Sequence, residues 1–101
     1  MNLFQRPQFL LDVARTELYL LEYAGAEVAD RWHEALWETI RFLETHPLAG
    51  RARFDLTFTG IRSWKINGFD RWIVFYEVRD GDLILFRVVP GSLNLQDLKF
   101  S

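Results

Sequence analysis

The sequence has no cysteine, only two histidines and two lysines, and three prolines in 101 residues. Without thiols a disulfide scaffold, a thiolate metal site and a cysteine nucleophile are all excluded, and the composition suits a reducing compartment. With His33 and His46 as the sole imidazoles, an imidazole-based metal centre is not expected. There is no internal repeat, linker or low-complexity tract, and no uncharged apolar run of the roughly 18 residues that a membrane span requires. Met1–Pro7 also lacks the apolar stretch of a signal peptide. These absences lead us to expect a soluble, cytoplasmic protein without membrane contact, built as one domain over residues 1–101.

Aromatic residues are abundant, with nine Phe, four Trp and three Tyr, and half of the chain is hydrophobic. So many rings fill a small core and leave some for the surface or a partner. The net charge of −2 hides an asymmetry. Residues 1–50 carry four Arg and eight Asp/Glu, a balance of −4, whereas residues 51–101 carry six Arg, two Lys and six Asp/Glu, a balance of +2. Arginine is the cation suited to bidentate contact with carboxylate or phosphate, so the second half is the better match for an acidic partner.

Pro7 is well placed in the first turn of a helix. From there Leu10, Ala14, Leu18, Leu21 and Ala24 recur at helical spacing and predict an amphipathic helix to about Ala24, stopped by Gly25. A second helix follows, with Val28, Ala29, Trp32, Leu36, Ile40 and Leu43 as its apolar stripe and Trp37 and Phe42 off it; His46-Pro47 ends it. Helices joined this tightly form an antiparallel hairpin, about residues 7–46. Beyond Gly50 the period becomes two. Phe54, Leu56 and Phe58 alternate with polar residues, as do Trp64 and Ile66, and Asn67-Gly68 and Asp80-Gly81 are hairpin signals between strands. Trp72–Tyr76 is apolar on both faces, and Leu83–Val89 is continuous except for Arg87. Pro90-Gly91 stops that strand before a polar tail, residues 91–101.

The expected fold is α+β: the helical hairpin packs on one face of a twisted, mainly antiparallel sheet of three or four strands, about residues 52–90, with room for a short N-terminal edge strand. The other face has only the tail to cover it.

Candidate chemistry is thin. There is no glycine-rich phosphate loop, no His-Glu-x-x-His and no Gly-x-Ser-x-Gly. His33 and His46 read as solvated surface groups. The basic residues Arg51, Arg53, Arg62, Lys65, Arg71, Arg79 and Arg87, interleaved with Trp64, Phe69 and Trp72, resemble a phosphate-binding and base-stacking patch, diluted by Asp55, Asp70, Glu77, Asp80 and Asp82. The bland alternative is solvated strand residues whose stems cover apolar surface. Arg87 either contacts a carboxylate from the open face or is paired within the fold, and pairing is favoured.

Ile40–Gly50, Ile61–Ile66, the Phe69-x-x-Trp72-x-x-x-Tyr76 pattern and Phe86–Val89, in this order and spacing, resemble the RelE/ParE superfamily of bacterial toxins, and the ParE-like branch more closely. That resemblance implies a toxin neutralised by a cognate antitoxin, with a DNA-binding N-terminus and an acidic C-terminal segment, in a hetero-oligomer. It further implies inhibition of DNA gyrase by protein–protein contact, with no catalytic residue, metal or cofactor and no sequence-specific DNA binding by this chain. The contact residues expected for antitoxin or target are Arg62, Trp64, Phe69, Arg71, Trp72 and Arg87. The alternatives are a ribosome-dependent messenger endoribonuclease of the RelE type, which two lysines make hard to assemble, and a degenerate, non-toxic member. Many ParE-like chains carry His-Gly and then Arg-Asp after the last strand; here Pro90-Gly91-Ser92-Leu93-Asn94-Leu95 stands instead.

Overall fold

Two helices lie across one face of a five-stranded sheet in a computed structural model that describes residues 1–56, 60–93 and 98–100. The elements are β1 (Leu3–Gln5), α1 (Pro7–Tyr23), α2 (Ala26–Thr45), β2 (Arg51–Ala52), β3 (Arg62–Ile66), β4 (Phe69–Arg79) and β5 (Asp82–Pro90). The sheet order is β1-β5-β4-β3-β2. β2 to β5 are the mainly antiparallel sheet expected and β1 is its short N-terminal edge strand, so the sheet has five strands in all and is mixed, because β1 pairs parallel to β5 while every other pair is antiparallel.

The helical hairpin closes at Gly25, whose φ of +96° is open to glycine at little strain. The amides of Ala24 and Gly25 both donate to the Leu20 carbonyl and cap α1. α2 buries the predicted stripe of Ala29, Trp32, Leu36, Ile40 and Leu43. α1 does not. It buries Phe9, Asp12 and Leu20, with Val13 packed beside them, and turns Leu10, Ala14, Leu18 and Leu21 outward. The predicted face is thus the wrong one, because α1 is apolar around most of its circumference and the face that faces the sheet carries a carboxylate. Asp12 becomes tolerable there only through Arg87, 75 residues away.

Both hairpin signals mark two-residue turns. At Asp80-Gly81 both residues have positive φ, 52° and 80°, and Arg79 pairs with Asp82 across the turn. The expected strand over Phe54–Phe58 is absent where the structure describes it. Pairing ends at Ala52, Phe54–Leu56 form a bend, and Thr57–Thr59 lie outside the described residues. A bulge opposite Phe75 and Tyr76 skips Phe86, so Leu85 and Val88 both face the helices while Phe86 and Val89 face away.

Two cores result. Between helices and sheet lie Phe9, Trp32, Leu36, Ile40, Leu43, Ile66, Trp72, Val74, Tyr76, Leu83, Leu85 and Val88. On the opposite face Leu56, Ile61, Phe75, Phe86 and Val89 are joined by Phe100 of the tail, whose ring meets Phe75 and Phe86 edge-on at 5.6 and 6.2 Å. Leu98 and Phe100 therefore help to cover this face.

Candidate functional site

A groove of about 740 Å³ wraps the edge of β3, and Phe42, Ala49, Arg51, Arg53, Trp64 and Lys65 are among its walls. Its aromatic wall is a stack: Phe42 lies 5.4 Å from Trp64 on one side and 4.6 Å from His46 on the other, nearly parallel to both. Beyond Ser63, β3 has β4 on one side and no strand on the other among the described residues. Glu38 and Asp70 also line the groove, so its charge is mixed.

The loop forming the floor is fixed by Tyr76. Its buried hydroxyl donates to the Pro47 carbonyl at 2.8 Å and accepts from the Gly50 amide at 2.8 Å. Burial pushes the Tyr76 hydroxyl above its usual pKa, so it remains a neutral donor at physiological pH. Gly50 is required by contact, since a Cβ there would collide with the Tyr76 hydroxyl oxygen and the ring behind it. Arg62 reinforces the loop, donating to the Gly50 carbonyl at 2.8 Å and more weakly to that of Leu48.

Most of the cations that the sequence offered for phosphate are occupied within the chain. The buried Arg53 makes a two-pronged contact with Asp55, Nε to Oδ1 at 2.8 Å, and lies 5.5 Å over the Phe75 ring. The hydrogen bond from Arg53 holds the Asp55 carboxyl at a pKa of about 2. Arg79 pairs with Glu77. Arg87 grips Asp12 through Nε at 2.6 Å and Nη2 at 2.9 Å, and donates through Nη1 to the Lys99 carbonyl. The same carboxylate also accepts from the Val88 amide at 3.1 Å. Pairing is thus the outcome for Arg87, and it bolts α1 and the tail to β5.

The six expected contact residues do not form one patch. Trp64 is half-buried in the groove wall, and Arg62 supports the loop behind it. Phe69 and Trp72 meet edge-on at 6.3 Å, with Trp72 buried against Trp32, and the exposed Arg71 lies over the Trp72 ring at 5.9 Å. Arg87 lies on the far side of the sheet's centre, in its ion pair. The surface therefore keeps Trp64, Phe69 and Arg71, while Arg62, Trp72 and Arg87 support it from within. Sequence reasoning missed Tyr76 and Gly50 as the clamp of the groove floor; the Tyr at the end of the Phe-x-x-Trp-x-x-x-Tyr pattern was the only available signal. Among the described residues no three His, Asp or Glu side chains converge as metal ligands. No described helix is long and apolar enough to cross a membrane.

This architecture, a helical hairpin on a mixed sheet, is that of a solved chain titled "Chromosomal ParDE TA system from P. aeruginosa", with a TM-score of 0.74 over 89% of this chain and 95% of that one at 16% identity. No curated protein sequence matches. The family model for the ParE toxin of the type II toxin–antitoxin system parDE matches residues 3–94. The chain belongs to the ParE toxin family.

Proposed function

We propose that this ParE-family chain arrests growth by binding DNA gyrase through protein–protein contact, and that a cognate antitoxin neutralises it. The observation that carries the reading is the commitment of Arg53, Arg62, Arg79 and Arg87 to internal acceptors. A phosphoryl-transfer site needs cations aimed at the substrate and an acid–base pair beside them. Here four of the arginines are engaged within the fold, and the outward cations Arg51, Lys65 and Arg71 stand among aromatic and aliphatic surface of the kind that proteins bind, with no acid–base pair beside them among the described residues. Trp64, Phe69 and Arg71 are the contact residues in this proposal. The parDE title of the structural neighbour supports an antitoxin as the partner.

Expression of the chain alone, and together with the product of the reading frame next to its gene, tests the proposal. We expect growth arrest with DNA breaks and an SOS response, relieved by co-expression. Codon-positioned cuts in messenger RNA without DNA breaks would establish the ribonuclease instead, and unimpaired growth would establish a non-toxic member.

A further inference from the structure

We infer that Phe54 is the anchor by which this chain grips its protein target, seated in an apolar pocket whose rim is acidic; this rests on the reading above, in which that target is gyrase. The ring is 92% exposed, more than any other large apolar side chain described. Apolar side chains scattered singly over a surface are ordinary. Phe54 differs from them because the residues on both sides of it are tied down, so the fold itself holds the ring out.

The ties can be named. The Arg53 amide donates to the Ile61 carbonyl at 2.9 Å, and the buried Arg53 guanidinium donates to Ser63 Oγ at 3.3 Å, grips Asp55 and lies over the Phe75 ring. Two residues beyond Phe54, Leu56 is buried with Ile61, Phe75 and Phe86. With residues 53, 55 and 56 anchored, the bend displays Phe54 on a braced support. An aromatic ring presented in this way loses little conformational freedom when a partner takes it up, and rigid aromatic anchors of this kind carry much of the energy of protein interfaces.

Charge selects the chemistry of the occupant. Arg53 and Asp55 cancel one another as a pair. Arg51 and Lys65 remain, both exposed and neither in an ion pair among the described residues. They project from the same face of the sheet, because Arg51 pairs with Ser63, two residues before Lys65 on β3. The carboxylates of the adjoining groove, Glu38 and Asp70, stand on α2 and β4 and not on this loop. An apolar ring flanked by free cations matches a protein pocket that is apolar within and carries carboxylates at its rim. A single-stranded nucleic acid is the poorer match. A base could stack on Phe54, but the strand needs a row of free cations, whereas Arg53 is buried and the Asp55 carboxylate stands next to the ring.

The test compares the full-length chain with Phe54→Ser, Phe54→Tyr and Arg51→Glu in gyrase supercoiling, with Phe4→Ser as the control, since Phe4 is exposed on β1 at the opposite edge of the sheet. Each protein is also titrated with the antitoxin and with a single-stranded oligonucleotide, and thermal unfolding checks that each is folded. We expect Phe54→Ser to raise the concentration for half-inhibition roughly 10-fold or more and Arg51→Glu roughly threefold or more, while Phe54→Tyr and Phe4→Ser stay within about threefold of the wild type. Antitoxin binding by Phe54→Ser should stay within about threefold of the wild type. Inhibition by Phe54→Ser at the wild-type concentration overturns the anchor and leaves the gyrase reading standing. No inhibition by the wild type overturns that reading and the anchor with it. Antitoxin binding that Phe54→Ser weakens as much as gyrase inhibition overturns the assignment of Phe54 to the target. Oligonucleotide binding that Phe54→Ser abolishes while gyrase inhibition persists overturns it in favour of a nucleic acid.

Discussion

Replacing Arg87 with Met removes the partner of a carboxylate that has almost no access to water. The Asp12 side chain is 5% exposed and that of Arg87 11%, and the guanidinium supplies two of the three hydrogen bonds the carboxylate accepts. An uncompensated buried charge of this kind costs about 3–5 kcal/mol. That is a large share of the roughly 5–15 kcal/mol that stabilises a typical domain. At about 4–8 °C per kcal/mol for a chain near this length, the melting temperature should fall by at least about 12 °C. Asp12→Leu should be similarly harmful, since it also orphans the Val88 amide. The double variant Asp12→Leu/Arg87→Met should lose less than the sum of the two singles, because no charge is left buried; the residual loss, about 1–3 kcal/mol, belongs to the Val88 N–H. Thermal and urea unfolding of the four proteins complete the cycle. A fall of less than about 4 °C in Arg87→Met, or strictly additive losses, would mean that the Asp12 carboxylate does not depend on Arg87 for its burial.

The clamp on the groove floor makes two further predictions. Tyr76→Phe leaves the Pro47 carbonyl and the Gly50 amide without their partner and should cost about 1–3 kcal/mol in urea unfolding. Gly50→Ala forces its methyl into the fixed Tyr76 ring and should destabilise at least as much; a neutral result would mean the loop shifts freely. For Asp55, folding lowers the carboxyl pKa to about 2 from an ordinary 3.8, so the unfolded chain binds the proton more readily. Its contribution is present above the ordinary value and is lost as pH falls through the folded one. A carboxyl NMR titration should place the Asp55 midpoint near 2, and in Arg53→Gln it should return toward the ordinary range; an unchanged midpoint excludes Arg53 as the cause.

α2 was legible in the sequence because Asp30, Arg31, Glu34, Glu38 and Arg41 leave only one face for Trp32, Leu36 and Ile40 to bury. α1 was not, for the converse reason: leucines occupy both sides, and the face that is buried carries Asp12, whose compensating Arg87 stands 75 residues away. Local periodicity cannot weigh a long-range ion pair, and the same blindness made Arg87 a candidate contact. The hairpin turns were plain from Asn67-Gly68 and Asp80-Gly81, but β1 pairs in parallel with the last strand of the sheet, and three residues hold no signal for so distant a neighbour. Likewise the alternation of Phe54 and Leu56 reflects apolar anchoring, with Leu56 buried against Phe75 and Phe86, while Phe54 is left 92% exposed. Of the site, the aromatic positions were visible; which arginines remain outward was not, since that depends on acceptors assembled only in the fold.

Contact with gyrase is the action proposed for this ParE-family chain, and a supercoiling assay with purified gyrase, relaxed plasmid and the purified chain measures it. We expect dose-dependent loss of supercoiling with accumulation of cleaved plasmid, reversed by prior addition of the antitoxin. Full supercoiling activity and intact plasmid at a molar excess of folded chain would contradict it.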